Sequence, residues 1–317
     1  MDILNKKIIC ILERNCRTPI SQIAKQLRTN RNVITYRINN LKKQGIIKKY
    51  ITSINLGKLS YDTYKIYFKI HQLNKGKDLI DYFQDKKEII NITKLEGEYN
   101  LSCVVVTRDV IELDLFITEI KTKFDKFIKK LNVNIVVYSR IFKLEKLLLG
   151  EKGELIKIEK YSSEEKTIGL DEIDKKILRV LSQSANLSYI DLMNKTRLTL
   201  DIIKYRMKKL KGNIISSFRI LYDISKFGYF HYTILIKTNR MKKSDEQKLL
   251  YWSTMKNNVL YCTKIVGNFD FEIHVAIKDI NDLRAFVNEL ESEFSEKIDT
   301  YNTILLSEML KLNYIPF

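Results

Sequence analysis

Between Arg28 and Lys43 the chain sets out Arg28, Arg31, Asn32, Thr35, Tyr36, Asn39 and Lys43, hydrogen-bonding side chains recurring at helical spacing. An arginine can grip guanine with two hydrogen bonds and an asparagine can do the same with adenine, each good pair giving about 1–3 kcal/mol of discrimination. The apolar stripe Ile34, Ile38 and Leu41 turns Asn32, Tyr36, Asn39 and Lys43 to the opposite face of one helix, with Arg31 and Thr35 flanking near its start. Lys25, Lys42, Lys48 and Lys49 join Arg28 and Lys43 as expected phosphate neighbours, which supply salt-dependent affinity and no sequence choice. Arg37 sits at the edge of the stripe, where a structural ion pair and a phosphate contact are equally expected. Solvation alone accounts for one Asn or Lys on a helix face. It does not account for the whole set.

The elements that must hold such a face follow from periodicity. Ile8, Ile9 and Leu12 mark a first helix, Thr18-Pro19 interrupts it, and Ile20, Ile23, Ala24 and Leu27 mark a short second one. Thr29-Asn30 then makes a polar turn whose Asn can cap the third helix, which ends near Gln44-Gly45. Three helices with so tight a turn before the last are the layout of a helix-turn-helix, whose last helix enters the major groove. Residues 1–58 hold 13 Lys/Arg against 2 Asp/Glu, so the basic excess of the whole chain, +18, is concentrated at this end.

Shifting the chain by 169 residues lays Asn5-Lys6-Lys7-Ile8 on Asp174-Lys175-Lys176-Ile177 and Tyr36-Arg37 on Tyr205-Arg206. Tyr61 meets Tyr229 and Gly97-Glu98-Tyr99-Asn100 meets Gly267-Asn268-Phe269-Asp270, so the chain is two copies of one unit. In the second copy Ile177, Leu178, Leu181, Ile190, Leu192, Ile203, Met207 and Leu210 are the expected core. Leu200-Asp201 replaces Arg31-Asn32, and residues 170–226 hold 12 Lys/Arg against 6 Asp/Glu. A weaker or differently directed second reading helix is expected. After each helix-turn-helix, an alternating run (Thr63–Gln72, His231–Thr238) precedes a helix (Asp78–Lys86, Ser244–Met255). Two strands follow (Ile89–Glu96 and Asn100–Val106; Val259–Val266 and Asp270–Ile277), then a long helix (Val110–Phe124, Ile280–Phe294) and a last strand (Val133–Phe142, Thr300–Leu306). The order β-α-β-β-α-β is ferredoxin-like, with one sheet face under two helices and the other left to be covered, here by the second copy. The fold class is α+β: two repeats of a winged-helix-like helix-turn-helix plus a ferredoxin-like domain. The expected domains are 1–58, 59–146, a linker at 147–169 in which Leu155–Ile158 can add an edge strand, 170–226 and 227–317.

The helix exit Arg37-Ile38-x-x-Leu41 to Gly45-Ile46-Ile47, the run Asp174-Lys175-Lys176-Ile177-Leu178 and the turn Gly267-Asn268-Phe269-Asp270-Phe271, in that order along the unit, resemble the Lrp/AsnC family of transcriptional regulators. The resemblance covers nearly the whole chain, twice. It implies a regulator whose sensing domains dimerise and, in many members, bind an amino acid near the Gly-x-x-Asp turn. Carried over, that turn is Gly97, Tyr99 and Asn100 in the first copy and Gly267, Phe269 and Asp270 in the second. Asn100 departs from the pattern and lacks the charge that would meet an α-amino group. Family members usually carry one unit per chain, so this one resembles a covalent pseudo-dimer with unequal halves, able to assemble further. Double-stranded DNA is the expected partner and an amino acid the expected effector.

Two other readings compete. Siroheme decarboxylases share this tandem architecture, and tetrapyrrole chemistry would call for His and Arg in the sensing-domain cavities. The three histidines, His71, His231 and His274, are not sequence neighbours, and each is expected to be an ordinary core or edge residue. A ligand-binding module without DNA binding is the third reading, opposed by the basic first copy. No Ser-His-Asp set, phosphate loop or zinc spacing is present, so no catalytic residue, cofactor or metal is expected. Cys10, Cys16, Cys103 and Cys262 are expected as buried thiols, and Trp252, Phe286 and Phe294 as core. With no apolar run of about 18 residues and no signal-peptide layout at the start, a soluble cytoplasmic protein is expected.

Overall fold

A computed structural model describes residues 1–71, 77–150, 155–160 (backbone) and 167–317. The first unit runs α1 (Ile3–Arg14), α2 (Ile20–Gln26), α3 (Arg31–Lys43), β1 (Ile47–Ile54), β2 (Asp62–Ile70), α4 (Lys77–Asp85), β3 (Ile89–Glu96), β4 (Leu101–Thr107), α5 (Val110–Phe124) and β5 (Ile128–Phe142). Then come α6 (Leu144–Leu149) and β6 (Leu155–Lys160). The second unit repeats the order as α7 (Glu172–Gln183), α8 (Tyr189–Thr196), α9 (Leu200–Asn213), β7 (Ile215–Tyr222), β8 (Phe230–Thr238), α10 (Lys243–Met255), β9 (Val259–Gly267), β10 (Phe271–Ile277), α11 (Ile280–Phe294) and β11 (Ile298–Leu312).

The local choices have local causes. Asn30 accepts a hydrogen bond from the Val33 amide at 2.9 Å and so starts α3. Gly45, at φ +70°, ends it in the left-handed conformation that glycine tolerates, and the Ile46 amide returns to the Leu41 carbonyl. Asp2 and Asp171 cap α1 and α7 in the same way.

Among the described residues β1 and β7 form an antiparallel ribbon joining the two helix-turn-helix domains. The other nine strands form one sheet in the order β2-β4-β3-β11-β8-β10-β9-β5-β6, and β5 also pairs with β2, so that eight of them close on themselves. Each unit contributes a ferredoxin-like four, β5-β2-β4-β3 and β11-β8-β10-β9, joined at two seams, β5 to β9 and β11 to β3. Helices cover the outer faces over separate cores around Phe68, Phe83 and Phe116 and around Trp252, Phe286 and Phe294. The inner faces meet through Tyr67, Leu95, Tyr99, Val136, Leu235, Ile265, Phe269 and Ile304. Each large apolar side chain fully buried there contributes roughly 1.5–3 kcal/mol, and Phe269 stands edge-on to Tyr67 and Tyr99, both at 6.4 Å. All four cysteines are buried.

Several expectations need correction. The segment after each third helix is a strand, β1 or β7, whose partner is supplied by the other unit. The stretch 147–169 is no plain linker. Leu147–Leu149 complete α6, whose Leu144 and Leu148 enter the core of the helix-turn-helix domains, while β6 is the edge strand expected at Leu155–Ile158, paired with β5. Residues 151–154 and 161–166 of that stretch, like Gln72, lie outside the described residues. The last strands begin earlier than the alternation suggests, and β11 also runs on to Leu312, past register shifts between Leu306 and Glu308 that break the period-2 pattern. Ile190 is exposed, and Leu192 alone of that pair enters the core.

The seams make the two turn glycines unequal. A Cβ on Gly267 (φ +154°) would lie 2.7 Å from the Val133 carbonyl oxygen and 2.8 Å from Asn134 Oδ1, whereas on Gly97 (φ +148°) its nearest neighbour is 3.5 Å away. Gly267→Ala is expected to cost about 2–4 kcal/mol and Gly97→Ala about 1 kcal/mol. Urea unfolding of the two variants checks this, and equal losses would contradict the tighter fit at β5.

Candidate nucleic-acid interface and an inter-sheet cavity

Helix α3 buries Ile34, Ile38 and Leu41, leaving Arg31, Asn32, Thr35, Tyr36, Asn39 and Lys43 exposed on one continuous side. Tyr36, on the face of α3 opposite its core stripe, is 72% exposed. Thr35 Oγ1 donates to the Arg31 carbonyl at 2.9 Å and keeps its lone pairs for accepting. Arg28, also exposed, occupies the turn at φ +51°, and its counterpart Arg197 at φ +55°; a non-glycine residue there costs on the order of 1 kcal/mol, so both turns are held by their surroundings.

The flanking charges divide. Lys48 pairs with Asp223 at 3.1 Å, and the partly buried Lys49 ammonium, whose pKa burial lowers, donates to the Leu312 carbonyl at 3.4 Å. Lys49 is drawn inward, whereas Lys48 stays exposed in its ion pair. Lys42 lies over the Tyr50 ring at 4.9 Å, while Lys25 and Lys43 are exposed. Arg37 is the structural alternative: it pairs with Asp2 at 2.6 Å and donates to Asn5 Oδ1 at 3.0 Å, tying α3 to the start of α1. Arg206 repeats this with Asp171 and Asp174.

On α9 the exposed side carries Asp201 and Ile202, but also Lys204, Tyr205 and Lys208. The second helix therefore keeps its tyrosine and gains lysines where the first has Thr35 and Asn39. The repeat offset that matched Tyr36 with Tyr205 carried this information; attention to Leu200-Asp201 missed it.

The expected effector turns face inward. Asn100 exchanges two hydrogen bonds with the Ile70 backbone, at 2.8 and 2.7 Å, and Asp270 Oδ2 accepts from the Thr238 amide and hydroxyl at 2.8 and 2.9 Å. Tyr99 and Phe269 are seam core, Tyr99 also receiving a hydrogen bond from Asn132. Gly97 and Gly267 accommodate the opposite unit's strands. The Asp270 carboxylate is 22% exposed and 3.5 Å from the Lys237 ammonium, and in the first turn the neighbouring Glu98 carboxylate is exposed and paired with Lys130.

The larger surprise lies between the sheets. A cavity of about 260 Å³ is lined by Lys65, Thr63, Asn91 and Thr93 from the first unit and His231, Tyr261, Thr263, Glu272 and His274 from the second, with Glu13 and Arg219 at the helix-turn-helix end. His231 and His274, remote in sequence, lie side by side because β8 and β10 pair: His231 Nε2 is 3.1 Å from His274 Nδ1, and His274 Nε2 is 3.3 Å from Glu272 Oε2. The Tyr67 hydroxyl donates to the other Glu272 oxygen. Burial pushes the Glu272 carboxyl up, but His274, Lys65 and Tyr67 outweigh it and hold it below the usual value, so it is ionised. Burial, then the neighbouring His274 and Lys65, hold His231 well below 6.5; burial also lowers His274 despite Glu272 beside it. Both rings are neutral at pH 7. Two histidines two residues out of register on adjacent strands, each on the inward alternation, were the signal available to sequence.

Among the described residues no group of three or more His, Cys, Asp or Glu is placed to hold a metal, and no helix is long and apolar enough to cross a membrane.

A winged helix-turn-helix DNA-binding family matches residues 1–48 and again 170–212. An uncharacterized HTH-type transcriptional regulator of Pyrococcus horikoshii is 32% identical over 151 residues, which are 98% of its length and 46% of this chain. The HTH-type transcriptional regulator Ptr1 of Methanocaldococcus jannaschii is 25% identical over 119 residues, 80% of its length and 38% of this chain. Among solved structures the siroheme decarboxylase NirDL covers 99% of this chain, and this chain 94% of it, at TM-score 0.65 and 13% identity, a likeness of fold alone. Duplicated winged helix-turn-helix domains on a closed sheet define a DNA-binding regulator of transcription. The chain belongs to the family of HTH-type transcriptional regulators, in a tandem form carrying two units where these relatives match one.

The histidine pair has a consequence for stability. Unfolded histidines titrate near 6.5 and the folded ones below it, so their contribution is complete above pH 6.5 and is lost as the pH falls toward the folded values. The thermal midpoint is expected to fall between pH 7.5 and pH 5 by several degrees, at roughly 2–4 °C per kcal/mol, and less steeply in His231→Phe. Parallel slopes for wild type and variant would contradict the neutral pair.

Proposed function

We propose that the protein is a sequence-specific DNA-binding regulator in which the first helix-turn-helix is the principal reader. The observation supporting this is the continuous exposed strip Arg31, Asn32, Thr35, Tyr36, Asn39 and Lys43 on a capped, well-anchored helix, with Arg28 at the turn before it. Arg31 and Asn32 suit base edges; Arg28 and Lys43 suit phosphates. The second helix, with Asp201 in place of Asn32 but with Lys204, Tyr205 and Lys208, contributes affinity and reads a different half-site. The working division is 1–58 and 170–226 for DNA, and 59–146 and 227–317 for sensing and pairing. Exposed Val110, Ile111 and Leu115 on α5 suit contact with further copies of the chain. Amino-acid responsiveness, if carried by the Gly267–Asp270 turn, rests on the Asp270 carboxylate meeting an ammonium; Asn100 gives the first turn no such charge.

The buried histidine pair favours a second reading, an enzyme acting on a tetrapyrrole. A cavity of about 150 Å³ holds benzene, so one of 260 Å³ takes about ten heavy atoms by the same measure, well short of a tetrapyrrole. The reading helix also has no role in such chemistry. We therefore assign no catalysis, and the visible spectrum on adding a siroheme-type tetrapyrrole tests the assignment: a shifted, saturable band would favour the enzyme.

With DNA fragments selected from the source genome, Arg31→Ala or Tyr36→Ala is expected to weaken binding by about 1–3 kcal/mol, and Leu200→Ala or Asp201→Ala by far less. Equal losses would falsify the asymmetry. The logarithm of the binding constant should fall linearly with the logarithm of salt concentration, with a slope of about −0.9 per phosphate contacted; a flat response would remove the DNA assignment.

A further inference from the structure

The inter-sheet cavity has the makings of a ligand site distinct from the turns. Its polar groups come from different units and are not duplicates: where the second unit places His231, Glu272 and His274, the first has Thr63, Ser102 and Val104. Glu272 is an ionised acceptor and receives a hydrogen bond from His274 Nε2–H, so His274 Nδ1 is the acceptor shared by the Thr233 hydroxyl at 3.0 Å and His231 Nε2 at 3.1 Å. The proton between the rings then sits on His231 Nε2. His231 is left with an unprotonated Nδ1, which has no partner among the described residues. The relay Tyr67–Glu272–His274–His231 thus ends in one neutral lone pair at a partly exposed residue on the cavity wall.

Lys65 stands on the facing wall, on β2, also partly exposed, and no carboxylate among the described residues forms a salt bridge with it; its ammonium rests 5.6 Å from the Tyr67 ring. Thr63 is 1% exposed and its hydroxyl has no protein partner among the described residues. A buried polar group left so costs about 1–3 kcal/mol, which a ligand oxygen recovers. Ile51, Ile90, Val104, Val136 and Leu306 add an aliphatic patch to a lining that also includes polar and aromatic side chains.

We propose that this cavity binds a small aliphatic 2-hydroxy monocarboxylate, its carboxylate on Lys65 and Thr63 and its hydroxyl donating to His231 Nδ1. A single negative charge complements the Lys65 ammonium, which makes no salt bridge among the described residues. The neutral acceptor selects a neutral donor, because an ammonium beside Lys65 would meet like charge, whereas the Asp270 turn offers the reverse, a carboxylate for an ammonium. About ten heavy atoms fill the volume, which 2-hydroxy-4-methylpentanoate matches. The inference does not depend on which helix reads DNA, since binding is measured without DNA.

Isothermal titration of the full chain with 2-hydroxy-4-methylpentanoate, leucine and 4-methylpentanoate tests it. The hydroxy acid should bind at least tenfold more tightly than either of the others. Lys65→Met and His231→Phe should each weaken it at least tenfold, Lys65→Arg should restore part of the loss, and Asp270→Asn should leave it unchanged. Thr63→Val, which keeps shape and alters one contact, serves should the cavity variants unfold. Nuclear Overhauser contacts from the ligand methyls to Val104 and Val136 should locate it between the sheets. Absence of binding to the folded wild type, preference for leucine, or loss on Asp270→Asn with Lys65→Met unaffected would overturn the proposal.

Discussion

Backbone hydrogen bonds between β5 and β9 and between β11 and β3 set the position of every other element. A four-stranded sheet with helices on one side has two liabilities, an uncovered apolar face and unpaired edges. Duplication removes both at once, because the second sheet covers the first while its outer strands occupy the first sheet's edges. The long last strands are the physical means. In each, the first part pairs with its own unit and the later part crosses to the other, as β5 does in leaving β2 for β9. The β1–β7 ribbon extends the same exchange to the helix-turn-helix domains, so α3 and α9 are held by pairing as well as by side-chain contact.

Much of this was legible because local rules and the fold agree. Asn30 as a cap, the stripe Ile34-Ile38-Leu41 and the glycine exit are short-range signals, and each appears in the structure as the spacing required. The repeat itself identified the sheet's covering partner. What escaped was non-local. Nothing within Ile47–Ile54 states that its strand partner lies at Ile215–Tyr222, and alternation stops at bulges that the hydrogen-bond ladder survives. Likewise His231 and His274 look bland along the chain and become neighbours only through the β8–β10 register. The effector turns were found by resemblance, but their side chains serve packing and backbone satisfaction, which no motif distinguishes from ligand contact.

The duplication has also released the interior from symmetry. In a homodimer each residue on the axis faces its own copy, so a lysine near the centre meets a lysine. Here Lys65 faces the histidines and Glu272 of a different sequence. One mixed-charge site replaces two identical ones. The same freedom separates α3 from α9, which share a scaffold and a tyrosine while differing in charge at their starts.

The closed sheet also constrains how the protein is made. As the chain leaves the ribosome, β1, β3 and β5 form half of a structure whose partners β7, β9 and β11 have yet to be translated. At about 5–20 residues per second, the edge of β5 waits on the order of ten seconds for β9. During that interval two nascent chains on one messenger could pair with each other in place of their own second halves. Basic charge concentrated in the first unit opposes such encounters by repulsion, so the residues that suit DNA also keep neighbouring nascent chains apart.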